Sequence, residues 1–562
     1  MTQALLSASA AGTKPDEPQP PEKLGAVFTK RWVVELILDL AGYTVNEDLA
    51  GQRVIEPSAG HGAFVVGIVE RLLESCRIHG RDIVDAGMAL LAFDIDSTAV
   101  TACRRAVVST LVENGVAPPV ARKLAQTWVR RADFLKVAPQ LQRARWVIGN
   151  PPYVRVEDVD KDAMATYRES WTTMSGRADL YVGFLEAGIS LLEDEGRLAV
   201  ICADRWMRNR YGASLRAMVE QQFSIDACVV MHDVEAFEDR VAAYPAIAVV
   251  RAGKQGSALV CEADVSFASS AARRLTAAWV RGPSPVREDH QYRMSWTRGW
   301  FSEGGSWPAG SPDRLRVLSA LETKFPTLED TGVTVAVGAA TGADDIYVTA
   351  DASKIEPERL IPAISAREIT SGEIKWAGRH MVNPWEPDGV VTLADYPKMR
   401  RYLMGHSSRL KARYVAQKQP ATWWRTIDRI HPAIANTEKL LIPDLKDRIH
   451  PVIDPGHYYP LHNLYYVTSA TWDLQVLGGL LLSDVANLFV ESYSVRMANG
   501  YMRVSAQYLR RVRVPMYQDI DQGTRQALRK AFKERDIGAA TLAALKAYGL
   551  TTWPGSLPAR ND

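Results

Sequence analysis

The chain has 562 residues, 47% hydrophobic and 23% charged, with a formal net charge of +2; this length calls for two or three domains, and near neutrality makes any nucleic-acid surface local rather than global. Five cysteines (Cys76, Cys103, Cys202, Cys228 and Cys261) form no C-x-x-C pair and ten histidines include no H-E-x-x-H, so a disulfide framework and a zinc finger are excluded, a reducing compartment is implied, and no metal site is read. No stretch approaches the ~20 apolar residues of a membrane span, and the N-terminus lacks the basic-then-apolar order of a secretory signal.

Residues 1–22, rich in Ala, Ser, Pro and Gln, read as a disordered tail. Apolar residues at helical spacing then run through Trp32 and Leu36-Ile37-Leu38, with Thr29 near the cap. Short β-branched runs alternate with longer helical patterns from there on, which predicts a parallel sheet with covering helices. The candidate strands are Arg53-Val54-Ile55, Ala89 to Phe93, Arg145 to Ile148, Arg197 to Ile201, Ala227 to Val230 and Ala246 to Val250. Residues 154–177 are polar and weakly patterned, and read as a mobile loop. After about Arg251 the rhythm fades. From Val391 to His450 about a dozen Lys and Arg face about five acids, interleaved with Tyr402, Tyr414, Trp423 and Trp424. This pattern fits a nucleic-acid surface, with Arg413, Lys418, Arg425 and the later Arg503 as candidate contacts, and equally a solvated basic helix face.

The ends of the strands carry the chemistry. The first runs into Glu56-Pro57-Ser58-Ala59-Gly60-His61-Gly62, where glycines at a strand-to-helix turn let the backbone approach a ligand. The turn lacks G-x-G-x-x-G spacing, because Val65 stands at the third place after Gly62. The second ends in Asp94-Ile95-Asp96, a carboxylate placed to grip a ribose diol. Asp133-Phe134 sets an acceptor beside a ring, fit for adenine. Each piece alone is also a helix cap or a core aromatic. The fourth strand stops at Asn150-Pro151-Pro152-Tyr153. Two prolines fix φ and remove donors, so Asn150 and the Pro151 carbonyl face outward as acceptors beside a flat ring, which suits a planar, amine-bearing substrate. An Asn-Pro turn with a surface tyrosine is the plain alternative.

Taken in order, Phe28-Thr29, Glu56 to Gly62, Asp94-Ile95-Asp96, Asp133-Phe134 and Asn150-Pro151-Pro152-Tyr153 resemble the γ-class, TaqI-type DNA adenine-N6 methyltransferases of restriction-modification systems. The likeness continues through Asp179-Leu180-Tyr181, Phe184-Leu185-Glu186 and Trp206-Met207. It is looser in Val337 to Ala343 and Gly500 to Pro515, and covers about four-fifths of the chain. Lys30 departs from the proline usual in the family. The resemblance implies a Rossmann-like class I sheet, mostly parallel with helices on both faces, followed by an α+β target-recognition domain. It also implies S-adenosylmethionine, with Thr29, Glu56, Ala59 and Gly60 around its methionine moiety, Asp94 at the ribose, Ile95, Asp133 and Phe134 at the adenine, and Phe28, Pro57 and Gly62 among the cofactor-binding residues. A target adenine flipped from double-stranded DNA would stack on Tyr153, with Phe237 as second aromatic and Tyr244 competing for that role. The expected domains are 23–255 catalytic, 256–330 connecting, 331–520 target recognition and 521–562 a helical tail. A monomer in the bacterial cytosol, functionally linked to a restriction endonuclease and without a membrane partner, completes the expectation.

Other readings use the same residues. A protein-glutamine or RNA base methyltransferase shares the N-P-P-Y logic, but the former are short chains. A non-catalytic DNA-binding specificity protein would have little need of a cofactor pocket. Pro312-Asp313 with Glu322-Thr323-Lys324 superficially matches a nuclease pattern, yet Leu315, Leu318 and Leu321 at helical spacing predict a surface helix. A cytosine-C5 enzyme wants a Pro-Cys nucleophile, and no cysteine here follows a proline.

Overall fold

The structure, a computed structural model, describes residues 27–239, 244–283, 287–298, 305–494, 501–551 and 553. The expected N-terminal tail lies outside the described residues. Two compact units are present, 1–307 and 308–562.

The first unit is built on a ten-stranded sheet. Helix α1 (Arg31–Ala41) precedes β1 (Val54–Glu56), and α2 (Ala63–His79) leads to β2 (Leu90–Asp94). Helices α3 (Ser97–Glu113) and α4 (Pro118–Trp128) return the chain to β3 (Val129–Arg131), and α5 (Phe134–Val137) to β4 (Ala144–Gly149). Beyond Asn150-Pro151-Pro152-Tyr153 come α6 (Lys161–Ser170), α7 (Leu180–Ser190), β5 (Leu192–Ala203), α8 (Arg205–Arg208), α9 (Ala213–Gln222), β6 (Phe223–Val230) and β7 (Pro245–Ala252). The order is β3-β2-β1-β4-β5-β7-β6, continued by β8 (Ala258–Ala263), β10 (Tyr292–Thr297) and β9 (Arg287–Glu288), with α10 (Ser269–Arg281) between β8 and β9. From β3 to β5 every neighbour is parallel, while β7 runs against both β5 and β6. β1 is buried throughout and β2 and β4 nearly so, as strands covered by helices on both faces must be.

Two expectations about this unit change. The sheet does not stop near residue 255: β8, β9 and β10 extend it by three strands, so much of the region expected to be a connector is sheet and helix of the first unit. β7 turns directly into β8 and β9 into β10 with no helix between, so the alternation that carried the earlier strands is kept here only by α10. Nor is 154–177 an open loop. It holds α6, and the buried Glu186 carboxylate accepts from the backbone N–H and hydroxyl of both Thr172 and Thr173, fixing the segment's end to α7.

The second unit is α+β. Val333–Val337, Leu464–Ser469, Lys439–Pro443 and Val452–Asp454 make an antiparallel sheet, and a second four-stranded sheet joins Val348–Thr349, His380–Val382, Leu360–Ile364 and Tyr459–Pro460. The Pro312–Lys324 segment is a helix that buries Leu315, Leu318 and Leu321. The expected helical tail is part of this unit's core. Gln522–Glu534 buries Leu528, Ala531 and Phe532 and closes on Leu474–Leu482 so tightly that a side chain at Gly479 would run into the Leu528 carbonyl. Among the described residues no single helix is long and apolar enough to cross a membrane; one bent pair, Leu474–Leu482 with Asp484–Tyr493, passes on length and composition, and its residues are mostly buried here.

Candidate active site

Four turns leave the carboxyl edge of the parallel strands and are bonded to one another. After β1 the chain needs left-handed backbone at Gly60 (φ 50) and Gly62 (φ 100), which glycine adopts without strain. Space above Gly60 is open to 4 Å, so a ligand can lie on the backbone there, whereas a side chain at Gly62 would press on Cys103. The Gly60 N–H donates to Asp94 Oδ2 at 2.8 Å and the Asp96 N–H to Asp94 Oδ1 at 2.9 Å, so the carboxylate closing β2 is held by both turns. Ala59 N–H donates to the Phe93 carbonyl at 2.7 Å. Ile95 beside them is an apolar side chain 53% exposed, as an edge awaiting a flat partner would be.

Glu56 is wholly buried; its Oε1 accepts from Ser58 N–H at 3.1 Å and its Oε2 has no partner. Burial pushes its carboxyl well above the usual range, and the nearby Asp94 charge adds to the effect. Gly149, the last residue of β4, is the reason it fits: any side chain there would strike Glu56 Oε1. The Ser58 hydroxyl donates to the Asn150 carbonyl at 2.7 Å, joining the β1 turn to the N-P-P-Y tip.

Asn150 is set with more care than its sequence reveals. Its Nδ2 donates to the Val27 carbonyl at 3.1 Å and to Thr29 Oγ1 at 3.3 Å, while its Oδ1 is buried and unpartnered. The two acceptors around Nδ2 fix which way the amide points. Sequence places Thr29 near the cap of α1, but the cap is Lys30 and has no side-chain bond; the Thr29 hydroxyl serves Asn150 instead. The segment holding Val27 to Lys30 is itself pinned. Thr29 bridges Phe237, Lys30 N–H donates to Ala236 and Glu238 N–H donates to Phe28. The Phe28 ring lies 4.6 Å from His61.

Tyr153 meets Phe237 edge to face, ring centroids 6.1 Å apart, whereas Tyr244 packs on His232; of the two candidates, Phe237 is the one beside the tip. The Tyr153 hydroxyl is buried without a partner, and burial raises its pKa. Asp133 caps α5, accepting from Leu135 N–H at 3.2 Å, and also accepts from the Tyr167 hydroxyl at 2.8 Å. Phe134 is buried between Phe93 and Phe184, centroids at 5.9 and 5.5 Å. Ser58, Gly149 and Tyr167 have no role that the sequence assigns; only their motif positions could hint at one.

The basic candidates of the second unit fare differently. Arg413 is half-buried and donates within the unit, to the carbonyls of Leu410, Thr341, Trp423 and Arg425. Arg425 lies over the Trp385 ring at 5.0 Å and is half-buried. Lys418 is exposed over Tyr414 at 4.8 Å, and Arg503 is exposed on a two-residue strand paired with Leu445-Lys446.

A sheet that places β4 beside β1, reverses only β7 among its first seven strands and opens all its ligand-facing turns on one edge is that of a class I S-adenosylmethionine-dependent methyltransferase, and S-adenosylmethionine is the methyl donor. Residues here fit that cofactor: an open glycine turn, a buried carboxylate with a free oxygen and an exposed apolar edge. More narrowly, the chain belongs to the type II methyltransferases of restriction-modification systems. It is 41% identical to type II methyltransferase M.XhoI of Xanthomonas vasicola over 94% of this chain and 98% of that protein. It is 40% identical to M.PaeR7I of Pseudomonas aeruginosa over 94% and 92%. Residues 90–237 match the Eco57I restriction-modification methylase family. The fold is also similar to the type IIL restriction-modification enzyme MmeI, solved in complex with DNA: TM-score 0.58, 13% identity, 93% of this chain and 75% of that one.

Proposed function

We propose that this type II methyltransferase acts on double-stranded DNA, moving a methyl group to N6 of an adenine swung out of the helix at a specific sequence, and that it protects that sequence from a partner endonuclease. The observation that carries the reading is the Asn150 amide: its donor end is consumed by Val27 and Thr29 and its acceptor end is buried and open. Such a group accepts an N–H and offers nothing to a keto oxygen, so it selects an amine. Adenine supports the reading through the γ-class pattern around N-P-P-Y, and DNA through relatives named as type II methyltransferases.

The exocyclic amine is a weak nucleophile because its lone pair is delocalised into the ring. Asn150 Oδ1 and the Pro151 carbonyl would accept its two hydrogens, with Pro152 stiffening the tip, and hold the nitrogen closer to tetrahedral with the lone pair directed out of the ring plane. Tyr153 and Phe237 supply aromatic surface for the extruded base, offsetting a few kcal/mol of unstacking. When bound, S-adenosylmethionine supplies an electrophilic sulfonium methyl. Thr29, Glu56, Ala59 and Gly60 would hold its amino-acid end, Asp94 its ribose, and Ile95, Asp133 and Phe134 its adenine. In the second unit Lys418 and Arg503 remain the exposed candidates for phosphate.

Base-modification sequencing of DNA from a methylation-free host tests this, comparing the wild type with Asn150→Ala. One short motif carrying N6-methyladenine in the first and absent in the second is the expected result. No modified adenine in either, with protein that folds and binds cofactor, overturns the reading and redirects it to RNA or protein amides; N4-methylcytosine would correct the base.

A further inference from the structure

Just past Tyr153 the first unit has a cavity of about 430 Å³. Three segments line it: the residues just past Tyr153, those at the start of α7 and those after β5. The Leu180 N–H donates to the Val154 carbonyl at 3.0 Å, which ties the first two together. By formal charge the cavity is neutral, with Arg155, Arg177 and Arg205 against Glu157, Asp158 and Asp179. The groups are not in equal states. Glu157 is engaged by Arg177 in an exposed ion pair, a contact worth little in water. Asp179 Oδ2 accepts from the Tyr211 hydroxyl at 3.3 Å; burial raises this carboxyl, and the Arg205 charge pulls it back down. Arg205 and Arg155, by contrast, donate to no protein acceptor among the described residues, and the Arg205 Nε is buried with no partner. A buried guanidinium nitrogen left open costs free energy unless a ligand completes it.

We propose that this cavity grips a phosphodiester of the target strand beside the extruded adenine, with Arg205 and Arg155 as donors and Arg177 exchanging Glu157 for the phosphate. The inference rests on the DNA reading above. Arg155 stands two residues after Tyr153 in extended backbone, a step of roughly 7 Å, which matches the reach from a base to the phosphate of its own nucleotide. Extrusion swings that phosphate along with the base, so a grip here holds the flipped state rather than the sequence. A planar guanidinium suits the ligand, since its parallel N–H groups pair with two phosphate oxygens.

The test uses the full-length protein and duplexes containing its methylated motif, with single neutral methylphosphonates walked across the phosphates flanking the target adenine. Arg205→Gln and the exposed Arg155→Gln are compared with wild type for DNA and cofactor dissociation constants. Each variant is expected to bind DNA at least about tenfold more weakly, to lower the salt slope by ~0.9 for each phosphate it no longer neutralises, and to bind cofactor as before. One methylphosphonate should cost the wild type a similar factor and cost Arg205→Gln nothing further. Wild type that methylates DNA but shows penalties multiplying with Arg205→Gln at every position overturns the clamp alone. Loss of cofactor binding in both variants does so too. Inorganic phosphate that weakens wild-type DNA binding while the penalties still multiply assigns the cavity to free anion and overturns the DNA phosphate. A wild type that methylates no DNA sinks both readings.

Discussion

The carboxyl edge of the sheet and Arg413 in the basic stretch of the second unit are both conspicuous as sequence, and the fold treats their polar atoms in opposite ways. At the edge, Asn150 Oδ1, Glu56 Oε2 and the Tyr153 hydroxyl are buried and open. In the basic stretch, the half-buried Arg413 guanidinium donates to four carbonyls of its own unit. Burying a polar atom without a partner is costly, so a protein that does it three times along one edge is holding places for something else. A cation that spends most of its donors on carbonyls of its own unit serves the scaffold. Partnering, more than residue type or local charge density, separates the two.

The sharpest way to break this contrast is to remove the open acceptor. Asn150→Ala should lower the methylation rate by about 10²–10³-fold, the size of removing one preorganised polar group from a reacting centre. Cofactor affinity should change little, because the Glu56 and Asp94 carboxylates remain in place. If single-turnover rates fall less than tenfold, Asn150 is a turn former and the proposed chemistry is wrong.

The converse substitution is Arg413→Ala. It leaves several carbonyls without their donor, and should destabilise the second unit by about 3 kcal/mol, read as a lower denaturation midpoint. The salt dependence of DNA binding should stay as it was. A variant of unchanged stability with a shallower salt slope would return Arg413 to the surface role its neighbours in sequence suggest.

These two substitutions also mark how far sequence reasoning reaches. Asn150 can be singled out because a strand ending in Asn-Pro-Pro-Tyr is a local statement about φ, donors and a ring. Its tethering cannot, because Val27 and Thr29 lie over a hundred residues away in sequence, and Ser58 reaches Asn150 across 92 positions. Gly149 reads as the end of an apolar strand; that it clears room for Glu56 is a fact of neighbouring parallel strands. Tyr167 sits in a stretch without apolar pattern, and only the fold carries its hydroxyl to Asp133. β3 has just three residues, two of them exposed arginines, so no apolar run announces it, and β8 and β10 are each reached from the strand before by a turn and not by a helix. Arg413 fails for the same reason that Asn150 succeeds in part: charge density is local, whereas hydrogen-bond partners are not.

Glu56 offers a smaller effect with a definite sign. Its folded pKa is raised by burial, so its contribution to folding is present at low pH and is lost as pH rises through that value. If Glu56 holds the amino-acid end of the cofactor as proposed, the ammonium group there needs the ionised form. Cofactor affinity should therefore climb with pH over an interval above the ordinary carboxylate range, by up to about tenfold per unit, with a proton released on binding. Calorimetry in buffers of different ionisation enthalpy would show that proton. Glu56→Gln should bind more weakly and lose this slope; a Glu56→Gln variant that keeps it assigns the titration elsewhere.

The smallest effect belongs to Lys418, and it completes the contrast with Arg413. The two lie five positions apart, yet the Lys418 ammonium is exposed, resting over the Tyr414 ring, with no carboxylate partner among the described residues. Lys418→Ala should leave the denaturation midpoint within about 0.5 kcal/mol of wild type. If this ammonium meets a phosphate, the variant weakens binding equally for cognate and non-cognate duplexes, and the slope of log affinity against log salt falls by ~0.9. Selectivity between the two duplexes should not move, since a phosphate contact carries no base information. A selective loss on the cognate duplex would make Lys418 a base reader, and an unchanged slope would leave its stretch a solvated face.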